Sequence, residues 1–123
     1  MPKAITKGKS AERELAKLLG EVGRLQLSRN LGQSRDGGHD LTGIPGVALE
    51  VKRCERLNIP AWWLQAVEQA KSAGLVPVLA YRQSRKPWHF VIPLSWITGL
   101  STDETATISL EAFCYLVKAE KLC

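Results

Sequence analysis

Cysteine and long apolar runs are scarce in this 123-residue chain, and each scarcity removes a class of protein. The three cysteines, Cys54, Cys114 and Cys123, show neither CxxC nor Cys/His ligand spacing. That argues against structural zinc and against a disulfide framework, and for the reduced thiols of a cytoplasmic protein. No stretch approaches the roughly 20 consecutive apolar residues of a membrane span. The start, Met1-Pro2-Lys3-Ala4-Ile5-Thr6-Lys7, is not followed by the apolar core of a signal peptide. A soluble intracellular protein without a membrane partner is expected. Internal repeats and low-complexity tracts are also missing.

What is present is ordinary globular material, 45% hydrophobic and 24% charged. The length suits one domain over residues 1–123 and is too short for two comfortable ones. The formal charge is +5, unevenly spread: residues 1–100 hold 15 Lys+Arg against 8 Asp+Glu, and residues 101–123 hold 2 against 4. A basic surface before residue 100 is compatible with a phosphate-backbone partner.

Residues 1–8 read as a short, mobile basic segment. Ala11, Leu15, Leu18, Leu19 and Val22 then recur at helical spacing, which predicts an amphipathic helix over 9–22. Leu25–Asn30 and Asp40–Ile44 suggest short strands around a polar loop, and Pro45-Gly46 is a turn pair leading to a strand over Val47–Lys52. Pro60 and Gly74 bracket a second helix with Trp63, Ala66, Val67 and Ala70 on one face. Leu75–Tyr81 reads as a buried strand, and a helix leading into it implies a parallel crossover. Trp88–Ile92 is a further strand. After Pro93 come a turn or short helix to Gly99, a polar loop, and a last helix from about Ser109 to Glu120. Trp62 and Trp63 point about 100° apart on their helix. Trp63 is therefore assigned to the core, with Trp88 and Trp96, and Trp62 to base stacking or a subunit interface.

Chemistry concentrates on the strand Val47–Lys52. Side chains alternate with period two, so Val47, Leu49 and Val51 face one way and Ala48, Glu50 and Lys52 the other. Asp40, in the Gly-rich approach Asp36-Gly37-Gly38-His39-Asp40, and Glu50 would offer the carboxylate oxygens that a hard cation such as Mg2+ or Mn2+ prefers. Lys52 would reach the same place, to orient the attacking water and offset charge building on phosphorus. A bare Glu-x-Lys is commonly a solvated surface pair. Here the opposite positions are all apolar, which weakens that alternative. Arg29, Ser34 and Arg35 precede Asp40 and are candidates for gripping phosphate oxygens. Lys7, Lys9 and Arg53, with Arg56, Arg82, Arg85 and Lys86, would form a backbone-binding rim if the fold gathers them on one side.

The order helix, three strands, helix, two strands, with Lys7-Gly8-Lys9-Ser10-Ala11-Glu12-Arg13-Glu14-Leu15 at the first helix, then Asp40 and Glu50-Val51-Lys52, resembles the PD-(D/E)xK nuclease superfamily. Within it the chain is most similar to the archaeal-type Holliday junction resolvases, which also occur in viruses. Val76-Pro77-Val78-Leu79-Ala80 and Trp88-His89-Phe90 extend the likeness, which covers roughly residues 4–92. The resemblance implies an α/β fold with a restriction-endonuclease-like core over about 8–92, a mixed central β-sheet flanked by helices, and a C-terminal helical segment over 93–123 without a counterpart. It implies Asp40 and Glu50 as metal ligands, with Lys52 and Glu12 completing the catalytic set. Glu12 also has a structural reading, since a first-turn glutamate favours the helix dipole. Some members of the superfamily place a glutamine from the second helix near the metal, which makes Gln69 an accessory candidate. His39 stands where the superfamily name expects proline.

The expected function is a Mg2+- or Mn2+-dependent endonuclease acting on branched DNA, as a homodimer because paired cuts need two active sites. One alternative is a related nuclease acting on flap, single-stranded or replication-intermediate DNA. The other is a nucleic-acid-binding module without catalysis.

Overall fold

The computed structural model describes residues 2–29 and 41–122, with side chains placed for 10–28 and 41–118. The first helix, α1, runs from Pro2 to Gly23. The basic start expected to be mobile is therefore helical. Lysine and alanine are good helix formers, and Pro2 stands at the helix start, where its missing N–H costs nothing. Ala11, Leu15 and Leu19 form the buried stripe, while Val22, expected on it, is 45% exposed. The chain leaves the helix at Arg24 (φ 55°), and Leu25 donates its N–H back to the Leu19 carbonyl (3.2 Å). That exit consumes residues 25–27, so β1 is only Ser28–Arg29 rather than a strand from Leu25.

Next come β2 (Leu41–Thr42), β3 (Val47–Arg53), α2 (Ile59–Ala73), β4 (Val76–Arg82), β5 (His89–Pro93), α3 (Leu94–Thr98), β6 (Thr105–Ser109) and α4 (Leu110–Leu122). Among the described residues six strands form one mixed sheet in chain order, and only β3 and β4 are parallel. A parallel pair needs a crossover, which α2 provides. Strand β6 occupies a segment expected to be a polar loop. Its Thr-Ala-Thr-Ile-Ser alternation puts Ala106 and Ile108 against the core and leaves the rest to solvent, as an edge strand allows.

The sheet has two unlike faces. On one, Val47, Leu49, Val51, Val78, Ala80, Phe90 and Ile92 pack against α1 and α4, with Phe90 and Phe113 stacked at 4.4 Å. On the other, Leu79, Tyr81 and Val91 meet Ile59, Trp62 and Trp63 of α2. Trp63, assigned to the core from sequence, is only half-buried, as is Trp62, whose ring lies 6.3 Å from that of Tyr81. Trp88 is buried. Trp96 is partly buried, 6.4 Å from Phe113. Among the described residues no helix is long and apolar enough to cross a membrane.

Gly43 ends β2 at φ 129°, and a Cβ there would lie 2.2 Å from the Gln26 carbonyl oxygen. Gly46 also has positive φ, 79°, but open space around it. Gly46→Ala should cost about 1–2 kcal/mol from backbone strain alone, and Gly43→Ala more than about 3 kcal/mol, because a main-chain atom must move. Urea denaturation of the two variants checks the ranking.

Candidate active site

Strand β3 continues the alternation expected of it, and the register tells which face each side chain serves. Glu50 pairs with Leu79 and Lys52 with Tyr81, so both look toward α2, while Val47, Leu49 and Val51 face α1. Glu50 is 2% exposed, which is unusual for a carboxylate. The Lys52 ammonium stands 3.7 Å from its Oε2. That pairing offsets part of the cost of desolvating the carboxylate. Burial pushes the neighbouring Tyr81 phenol above its ordinary value.

Glu12 is also buried, at 9% exposure, on α1, the helix that packs against β3. Its helical phase lies close to that of Leu19, so it rides the edge of the buried stripe. The described ladder between β2 and β3 is short, with Leu41 opposite Leu49. Asp40 immediately precedes β2 and lies outside the described residues, as do Ser34 and Arg35. Lys7, Lys9 and Arg29 belong to α1 and β1, but their side chains are outside the described set. Gln69 is half-buried on α2. Among the described residues no group of three His, Cys, Asp or Glu side chains converges as a set of metal ligands. Glu50, one of the two expected ligands, carries carboxylate oxygens of the kind that suit Mg2+ or Mn2+ far better than thiolate-seeking ions do.

One residue that sequence reasoning missed organises this region. Glu14 receives Arg82 in a two-pronged contact, Nε to Oε2 at 2.7 Å and Nη2 to Oε1 at 2.9 Å. Trp88 Nε1 donates to Oε2 at 3.0 Å, and Arg53 Nη1 lies 3.6 Å from Oε1. Arg82 also sits over the Trp88 ring, 5.7 Å from its centroid. Arg53 and Arg82, both considered for the DNA-binding rim, are thus half-buried and turned toward α1. In the sequence Glu14 stands only as one residue of the run that opens the first helix, and nothing local indicates its partners, which lie as far as 74 residues away.

The family model described as a phage putative PDDEXK endonuclease matches residues 3–121. The chain belongs to this family. Its match runs well past residue 92, so the C-terminal segment expected to lack a counterpart lies within the family's shared span. The fold is similar to that of Hjc, a Holliday junction resolvase from Archaeoglobus fulgidus, an archaeal hyperthermophile. The sequence identity is 24%, the coverage 87% of each chain and the TM-score 0.53. No curated protein matches. The superfamily resemblance drawn from Glu12, Asp40, Glu50 and Lys52, and the restriction-endonuclease-like α/β fold, are both borne out.

Burial alone would raise the Glu14 carboxyl, but the hydrogen bonds from Arg82 and Trp88 and the charges of Arg82 and Arg53 outweigh it and hold it below the ordinary glutamate value. A depressed folded-state value contributes stability above the unfolded value, and that contribution is lost as pH falls through the folded one. Glu14→Gln should therefore cost about 1–3 kcal/mol at pH 7, discounted because Glu14 is about a third exposed. The difference from the parent protein should shrink below about pH 4. Urea titrations between about pH 3 and pH 7 measure both.

Proposed function

We propose that this protein is a divalent-metal-dependent endonuclease that hydrolyses DNA phosphodiester bonds, with branched DNA as its substrate. The observation that carries this reading is the Glu50 carboxylate, nearly shut off from water yet facing the Lys52 ammonium on the strand that the family shares. A structural ion pair gains little from such burial, whereas a site that must gather positive charge and a phosphate gains a preorganised acceptor.

Asp40 and Glu50 would hold the ion, and Glu12, carried by α1 against the opposite face of the sheet, would complete the catalytic set indirectly, through ordered solvent. A bound Mg2+ or Mn2+ would supply Lewis-acid stabilisation of the phosphate oxygens. Lys52 orients the attacking water and offsets the negative charge that grows on the phosphoryl group. The water gives up a proton to solvent as its oxygen bonds to phosphorus and the P–O bond to the leaving strand breaks, and that strand's oxygen takes up a proton from solvent. Lys7, Lys9, Arg29, Ser34 and Arg35 would contact the DNA backbone, and Gln69 would stand beside the ion. Resolution of a four-way junction needs two such sites, so the active species is a homodimer.

Cleavage of a four-way junction, a flap, a single strand and a linear duplex in Mg2+ tests the reading. Symmetric paired nicks in the junction are expected, and cutting of single strands with indifference to the junction would replace branched DNA by another substrate. Glu50→Ala should lower the rate by at least about 1,000-fold, and Lys52→Ala by about 100-fold or more. Parent activity that survives both EDTA and Glu50→Ala would refute the metal-dependent mechanism.

A further inference from the structure

The loop after β3 and the turn after β4 are tied together by hydrogen bonds that centre on Glu55. Glu55 accepts from the Ser84 amide at 3.1 Å and from the Ser84 hydroxyl through Oε2, while its carbonyl accepts Gln83 Nε2 at 2.8 Å. The Cys54 amide extends the ladder to the Arg82 carbonyl at 3.3 Å. The turn is closed by Lys86 N–H to the Gln83 carbonyl at 3.1 Å, with Arg85 in the left-handed region at φ 61°. These contacts join segments 28 and 29 residues apart on an exposed surface, where no apolar burial explains them.

The joined loops present Arg56, Arg85 and Lys86 to solvent, and the one carboxylate among them, Glu55, is occupied by Ser84. Lys52 pairs with Tyr81, so the apex of the turn stands roughly 10 Å beyond Lys52 along the strands, at about 3.3 Å per residue. Arg53 and Arg82, the nearest other cations on these strands, are engaged by Glu14.

We propose that Arg56, Arg85 and Lys86, on a turn held in shape by Glu55, form a docking site for the nucleic-acid phosphate backbone alongside the active site. This rests on the nuclease reading and names where the strand flanking the scissile bond is held. Glu55 acts as a positioning residue: its negative charge opposes DNA binding, but its acceptor oxygen sets the turn that presents the cations. The two effects have opposite signs and can be separated.

Binding of fluorescein-labelled duplex and four-way-junction DNA is measured by anisotropy in EDTA across a salt series, so that cutting does not interfere. The double variant Arg85→Asn, Lys86→Gln keeps a residue that tolerates the left-handed turn. It should bind roughly ten-fold more weakly, with the slope of log K against log salt reduced by about 2, close to 1 per cation. Glu55→Gln keeps the acceptor and loses the charge, so it should bind at least as tightly as the parent protein. Glu55→Ala loses both and should bind several-fold more weakly than Glu55→Gln. An unchanged salt slope in the double variant overturns the proposal, and so does Glu55→Ala binding as tightly as Glu55→Gln. A parent protein that binds DNA and cuts none refutes the nuclease reading while leaving this site standing. One that cuts DNA while the double variant binds normally refutes the site alone. One that binds no DNA refutes both.

Discussion

The contact on which the rest of this arrangement leans is the carboxylate of Glu14. It draws in cations from the end of β3 and the end of β4 and an indole N–H from the approach to β5, so one side chain of α1 is fastened to two strands and the entry to a third. A helix resting on apolar contacts alone can rotate or slide at modest cost, because the hydrophobic effect has no direction. A carboxylate with a two-pronged guanidinium partner does not allow this, since both oxygens have fixed donors. Glu12 lies two residues earlier on the same helix. Whatever fixes the rotation of α1 about its axis therefore also fixes where Glu12 stands relative to β3.

The two faces of the sheet divide the labour. The face under α1 and α4 holds the larger core, with Leu15, Leu19, Phe90 and Phe113 almost wholly buried. The α2 face is covered by a smaller cluster, and β3 contributes Glu50 and Lys52 there instead of further apolar side chains. That is a local violation of the pattern that stabilises a sheet, and such violations concentrate where chemistry is done. The larger core on the opposite face stabilises the strand that carries it.

Much of this was legible in the residues. The β3 alternation, the Pro60 and Gly74 brackets of α2 and the parallel crossover all emerged from periodicity and turn chemistry. The start of α1 did not, because Lys3, Lys7 and Lys9 supply charge without an apolar stripe, and helix propensity alone is a weak prior. Strand β6 was hidden because an edge strand of threonine, serine and alanine resembles a polar loop until β5 lies beside it. Trp63 was placed too deep because a helical stripe reveals the covered side, not how completely the neighbours cover it. Arg53 and Arg82 looked like surface cations, and nothing within a few residues of either announces Glu14.

By itself the sequence determined the local elements and the donor types: a strand with Glu50 and Lys52 on one side, a helix carrying Glu12, and a basic surplus before residue 100. These depend on periodicities of 2 and 3.6 residues and on the chemistry of each side chain, all of which are local. The tertiary structure decided which charges face one another. Arg82 and Glu14 are 68 residues apart, and Ser84 and Glu55 are 29 apart. Long-range pairing of this kind follows from the sheet's strand order, which brings the ends of β3 and β4 level, and strand order is not written in any local stretch of residues.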